Sequence, residues 1–244
     1  MRLTTSWDDG HRLDAKLADL MARYGISGTF YCPMRNDKGE PVLDPAAMRP
    51  LVGGLFEVAS HTLDHIYVNR VSPSQWQAQV IQGKAELESI LGHAVEGFGH
   101  PGGKLTSSSR ATVVEAGFVY ARIIENLRCD CGSDPFLMPA SLQFYPHRCS
   151  VLARNVLRRG GWGKHWALAA ACMGECDFEP RLRAVLERCR GADTVFHLLG
   201  HSWEIERNGL WPALERFFAL LDQTVPKGSR FTNAGLLRAQ GLLR

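Results

Sequence analysis

At 244 residues, with 45% hydrophobic and 22% charged side chains, the chain has the length and composition of one large globular domain over 1–244 rather than two small ones. Its formal charge of +3 is small and its basic residues are dispersed, so there is no phosphate-tracking stripe and nucleic acid is not an expected partner. No apolar run approaches the ~20 residues that a membrane span needs, so none is expected, and the lack of an export-signal pattern gives the expectation of a cytoplasmic protein.

Met1-Arg2 leads directly into Leu3-Thr4-Thr5-Ser6-Trp7, a strand with no signal-peptide pattern before it. After Asp8-Asp9-Gly10, the residues Leu13, Leu17, Leu20, Met21 and Tyr24 recur at helical spacing, and Gly25 supplies the stop. Short strands follow at 29–32, ended by Pro33, and at 55–60. Ser72-Pro73-Ser74-Gln75 is a helix start, with Ser as N-cap, Pro at the first position and Gln three residues after the cap. That helix runs to Leu91 and stops at Gly92. A strand enters Gly97-Phe98-Gly99, a helix covers 110–116 and a strand 118–124. The stretch 127–163 reads as irregular. Beyond it come a helix at 181–190, a buried strand at 194–199, a helix at 211–221, and Phe231 with 234–240 closing the chain. Strands and helices that alternate through short connections predict a parallel sheet, and their number favours a closed α/β barrel.

The cysteines number seven, an odd count without regular spacing, as free thiols in a reducing compartment would have. Cys129-Asp130-Cys131 and the pair Cys172 and Cys176 lack the matching partner pairs of a zinc ribbon and read as buried or idle thiols.

In such barrels the chemistry lies at the C-terminal ends of the strands, and the polar residues of interest fall there. Asp8-Asp9-Gly10 alone is as readily a turn and cap, but adjacent carboxylates at a strand end can divide labour between a cation and a proton. In Ser60-His61-Thr62-Leu63-Asp64-His65 the two histidines are four apart, the spacing of one helical turn, so both imidazoles can face one ion. With Asp9 they form a two-histidine, one-carboxylate set that leaves positions open for water and substrate. Phe98-Gly99-His100-Pro101-Gly102-Gly103 is a Gly/Pro turn in which side-chain-free backbone at Gly102 can approach a ligand. His201 follows an apolar strand and is placed for an acid, while His197 alternates with it and packs inside the barrel or tunes a neighbour. Trp203 is either core or an apolar wall for a sugar ring. His11, His147 and His165 have no spacing argument of their own.

Taken in order, Ser6-Trp7-Asp8-Asp9-Gly10, Ser60 to His65, Phe98 to Gly103 and Leu198-Leu199-Gly200-His201 resemble the polysaccharide deacetylase family, the NodB-homology domain of carbohydrate esterase family four. Trp7-Asp8-Asp9-Gly10-His11 and Gly200-His201-Ser202-Trp203-Glu204 look like a bacterial subgroup encoded with surface-polysaccharide genes. The resemblance implies a distorted (β/α) barrel of about seven parallel strands. It makes Asp8 the base, Asp9, His61 and His65 the metal ligands and His201 the acid, with His11, His100, Gly102, Trp203 and Glu204 expected against substrate. The cofactor implied is a divalent metal, Zn2+ first, with Co2+, Ni2+ or Fe2+ as alternatives. The expected reaction is removal of an N-acyl group, N-acetyl above all, from a nucleotide- or lipid-linked amino sugar in O-antigen biosynthesis. The alternatives are a deformylase or other small-amide hydrolase of the same fold, or a non-catalytic carbohydrate-binding domain.

Two departures from the family pattern stand out. Gly99 occupies the place of the usual arginine before the Pro-containing turn, and the aspartate-tryptophan motif that braces that arginine is not found. Glu204 and His100 are the sequence's candidates for substitutes.

Overall fold

In the computed structural model, residues 1–148, 150–151 and 166–243 are described. Seven parallel strands form a curled sheet in the order β5-β4-β3-β2-β1-β7-β6. They are β1 (Arg2–Trp7), β2 (Gly28–Cys32), β3 (Phe56–Ser60), β4 (Gly97–Gly99), β5 (Tyr120–Arg122), β6 (Leu142–Gln143) and β7 (Val195–Gly200). A further short strand, β8 (Arg230–Phe231), pairs with β1 at Leu3 and Thr4, below the point where β2 joins β1 at Ser6 and Trp7. One parallel bridge, Arg122 with Met138, joins β5 to the segment that leads into β6. This is the distorted barrel that the resemblance implies.

The helices form where their signals lie. The helix Pro73–Leu91 has both bonds of its capping box, between Ser72 and Gln75, and ends at Gly92 with φ of 77°. The helix after β1 spans Asp14–Arg23 and is followed by Gly25 at φ of 60°. Elsewhere the ends shift: the 110–116 helix is Ser107–Glu115, the 118–124 strand is only Tyr120–Arg122, and the 181–190 helix is Phe178–Arg188. The irregular stretch contains β6, whose two residues bond to β7 at Leu198 and Leu199. The rest of that stretch from 152, with His165, lies outside the described residues. No helix of the described residues is long and apolar enough to cross a membrane. Cys129 and Cys189 bring their sulfurs to 3.2 Å, and no cysteine joins a metal-ligand cluster among the described residues.

Alternation along the strands sorts side chains between two faces. On β1, Leu3 and Trp7 are fully buried in the main core, with Trp7 edge-on to Phe218 at 6.3 Å. The opposite face of the curl is polar. There Thr4 donates to Asn233 (2.7 Å), Ser6 meets His197 Nε2 (2.7 Å) and Tyr120 donates to Glu57 (2.8 Å). His197 also reaches the carbonyl of Pro139 (2.7 Å), and burial with the nearby Arg122 charge pushes it down to about 3, so it is neutral. It is an interior partner of this network, one of the two places anticipated for it. The network satisfies polar groups that would each destabilise the interior if left unpaired.

Candidate active site

The functional side chains gather where β1, β3, β5 and β7 end. Asp9, two residues past the end of β1, brings its Oδ1 to 2.9 Å from His65 Nε2 and 3.6 Å from His61 Nε2. Their ligand atoms all lie within 4.8 Å of one another, the one such cluster among the described residues. Atoms bound at about 2.0–2.2 Å to one ion stand roughly 3 Å apart, so the set fits a Zn2+-like cation. The second sphere supports that fit. His61 Nδ1 lies 2.8 Å from the carbonyl of Gly99, which fixes its proton there and leaves Nε2 with a lone pair. Burial lowers the His61 pKa, and neutral imidazole is the ligating form. Burial alone would raise Asp9, but bonds from His61 and His65 and the charge of His201 hold it well below the usual carboxylate range.

The path that brings the two imidazoles together differs from expectation. Residues 61–65 are not helical. Thr62 and His65 adopt positive φ values of 70° and 57°, and these two reversals tilt the rings to a centroid separation of 5.1 Å. Asp9 is at φ of 77°, so three of the four described non-glycine residues with positive φ are in this site. Such conformations cost about 1–3 kcal/mol each and persist where surroundings dictate them.

Asp8 is 4% exposed and points the other way along the strand end. Its Oδ1 accepts from a guanidinium nitrogen of Arg122, fully buried at the end of β5, while its Oδ2 stands 4.0 Å from His201 Nε2. Burial alone would lower Arg122, but the Asp8 charge raises it, so it stays charged. Its guanidinium lies 4.7 Å over the Tyr31 ring. Nothing in the sequence singles out Arg122, a single charge in the run 118–124 whose partner Asp8 lies at another strand end.

Gly99 shows why no arginine stands before the Pro turn. A Cβ there would sit 2.7 Å from the Tyr31 ring and 2.9 Å from His61 Nδ1, closer than any side chain allows. Arg122 reaches Asp8 from the next strand instead.

His201, just past β7, is 19% exposed. Its Nδ1 meets Glu204 Oε2 at 2.7 Å, and Gln143 Nε2 on β6 donates to the same oxygen at 3.1 Å. Burial opposes its charge, but Glu204, Asp9 and Asp8 outweigh that and push it up to about 9. An unbroken chain of contacts thus runs Gln143, Glu204, His201, Asp8, Arg122.

Of the residues expected against substrate, His11 and Trp203 wall a cavity of about 180 Å³ that opens onto Asp9 and His65. Trp203 also donates its indole N–H to Asp9 Oδ2 at 2.9 Å, a positioning contact the sequence did not suggest. Gly102, at φ of 59°, lies under the Tyr67 ring, where a Cβ would approach to 3.1 Å. Glu204 is engaged with His201 rather than open to the cavity. His100 is not brought to the group: it is 1% exposed and stacked on Trp76 at 6.2 Å, and burial lowers it to about 3. It therefore braces neither Asp8 nor His201.

Residues 2–121 match the family model described as polysaccharide deacetylase. No curated protein sequence matches the chain. Among solved structures, it is similar to a family 4 acetyl xylan esterase from Clostridium thermocellum in complex with a cobalt ion, at 16% identity and a TM-score of 0.61, covering 99% of this chain and 93% of that one. A peptidoglycan N-acetylglucosamine deacetylase, Bc1960, matches at 16% identity and a TM-score of 0.59, over 95% of this chain and 85% of the other. A Streptococcus pyogenes deacetylase, PplD, in complex with acetate matches at 14% identity and a TM-score of 0.50, over 56% of this chain and 62% of the other. At these identities the likeness is one of fold.

Proposed function

Because the chain belongs to the polysaccharide deacetylase family, we propose that it is a metal-dependent hydrolase removing an N-acyl group, N-acetyl first, from an amino sugar. The observation that carries this reading is Asp9, His61 and His65 converging on one point beside Asp8, a second, separately held carboxylate. Asp9, His61 and His65 hold a divalent ion, Zn2+ before Co2+, Ni2+ or Fe2+. When bound there, such an ion acidifies a water and polarises the acyl oxygen.

The remaining steps belong to the protein. Arg122 occupies Oδ1 of Asp8 and leaves Oδ2 to take the proton of the attacking water. His201, raised to about 9, is protonated at neutral pH and donates to the departing nitrogen through Nε2. Nε2 is free for this because Nδ1 is held by Glu204. Acceptor and donor face each other at 4.0 Å, so both serve the same reacting carbon. His11 and Trp203 border the space where the sugar lies, and Gly102 offers backbone at its rim.

We further place the reaction in the cytoplasm, on a nucleotide- or lipid-linked amino sugar of surface-polysaccharide (O-antigen) synthesis. The test is acyl release from N-acetyl and N-formyl amino sugars, free, nucleotide-linked and lipid-linked, alongside metal analysis of the purified protein. Stoichiometric divalent metal with acetate release supports the reading; formate release alone moves it to a deformylase. Metal-loaded protein that binds these sugars and releases neither acid overturns it.

A further inference from the structure

The cavity beside Asp9 and His65 has a charged wall that amide hydrolysis does not use. Lys38, Glu40 and Arg207 line it. The loop bearing Lys38 is fixed to both metal-ligand turns: Asp37 N bonds to Asp64 O (2.9 Å), Arg12 N to Pro41 O (3.2 Å) and Leu43 N to Gly10 O (2.7 Å). The position of Lys38 is therefore set by the same turns that set Asp9 and His65.

The two cations differ from their neighbours in lacking a carboxylate partner; ring contact is common to both groups, with Arg70 4.8 Å over Tyr67 and Lys16 4.2 Å over Trp211. Arg35 pairs with Asp64, Arg70 with Asp37 and Lys16 with Glu206. Lys38 and Arg207 have no carboxylate partner among the described residues. Each rests on an aromatic ring: Lys38 Nζ lies 5.3 Å over Tyr67 and 3.4 Å from its hydroxyl, and the Arg207 guanidinium lies 4.7 Å over Trp203. The carboxylates next to them in sequence, Asp37 and Glu206, are committed to other cations. A cation over a ring is oriented without a counter-charge; Lys38 gives one donor to the Tyr67 hydroxyl and keeps two for a ligand. Glu40 is the one carboxylate of the cavity wall besides Asp9, so outside the metal ligands cations outnumber anions there.

We propose that this cavity is an anion subsite, in which Lys38 and Arg207 take a negatively charged substituent, phosphate ester or carboxylate, of the amino sugar whose acyl nitrogen lies at Asp9 and His65. The inference rests on the hydrolase reading and narrows its substrate class to anionic amino sugars. Glu40 weakens anion binding and is available to a sugar hydroxyl.

The experiment compares three probes: N-acetylglucosamine 1-phosphate, N-acetylglucosaminuronic acid and the neutral methyl glycoside of N-acetylglucosamine. Calorimetric binding and acyl release are both measured, at low and high salt, for the wild type and the Lys38→Met/Arg207→Met protein. The wild type is expected to bind at least one anionic probe about tenfold or more tightly than the neutral glycoside, with the advantage shrinking in salt. The double variant is expected to lose that preference, and Glu40→Gln to enlarge it. Whichever acid is preferred identifies the substituent. Equal binding of all three probes by the wild type, or an undiminished preference in the double variant, overturns the subsite. Charge-dependent binding without acyl release would instead count against the hydrolase reading, so the two failures are separable.

Discussion

Arg122 and Asp8, 114 residues apart in sequence, meet as a buried ion pair between the ends of β5 and β1. The pair explains how Asp8, the proposed base, is held in a chain with glycine at 99. It also ties the edge of the sheet to the proposed active site, because Arg122 lies on the edge strand β5.

Removing the guanidinium leaves Asp8 buried without a counter-charge, a change that typically costs about 3–5 kcal/mol of stability. Arg122→Met is expected to lower the melting temperature measured by thermal unfolding, because the buried carboxylate loses its only counter-charge on β5. Arg122→Lys keeps the charge and is expected to fold, with kcat reduced about 10–100-fold for want of the fixed guanidinium geometry. Metal content is expected to be unchanged in the Lys variant; a loss of metal would show that Arg122 acts on the ligands and not on Asp8.

Glu204 sets the charge of His201. The acid form of His201 is present below about 9 and is lost as pH rises through that value, which places the alkaline limb of the rate profile there. Glu204→Gln removes the largest contribution raising it, so the limb is expected to move down toward the ordinary histidine value near 6.5. The pH dependence of kcat/KM in the two proteins measures this directly. An unmoved limb would assign it to another group.

Trp203 holds one oxygen of Asp9 while the histidines face the other. Trp203→Phe retains the ring and deletes the donor. Contacts of this kind are worth about 10–100-fold in metal affinity, so that loss is expected in a competition titration against a chelator. Unchanged affinity would make Trp203 a wall only.

Gly99→Arg would install an arginine at the usual family position. Because even a Cβ there meets Tyr31 and His61, the variant is expected to lose stability and bound metal together, and so is Gly99→Ala to a lesser degree. A stable, metal-replete Gly99→Arg protein would show that the packing around Tyr31 yields more readily than the distances allow.

Much of this site is legible in the sequence because its parts lie beside strong local signals. Asp8 and His61 each follow a strand directly, Asp9 comes one residue later, and His201 follows the apolar run of β7. The helix Pro73–Leu91 is legible to the residue because Ser72, Pro73 and Gly92 each carry a local reason to start or stop it. What escapes has no local signal. Arg122 is a single charge whose meaning depends on a residue four strands away in the sheet. β6 is two residues long and exists through its bonds to β7. The 61–65 segment has a spacing that suits a helix, yet it achieves convergence through two left-handed residues. His100 sits among motif residues but is captured by Trp76, a contact between β4's end and a helix that no pattern along the chain expresses.

Metal content and acyl release measured side by side in the wild type, Asp8→Asn and Asp9→Ala test the assignment most directly. The wild type is expected to carry one divalent ion and to release acyl group from its amino sugar. Asp8→Asn is expected to carry the ion and release none, and Asp9→Ala to lack both. Full turnover by Asp8→Asn, or wild-type turnover that survives complete removal of the ion, would contradict the division of labour between the two aspartates.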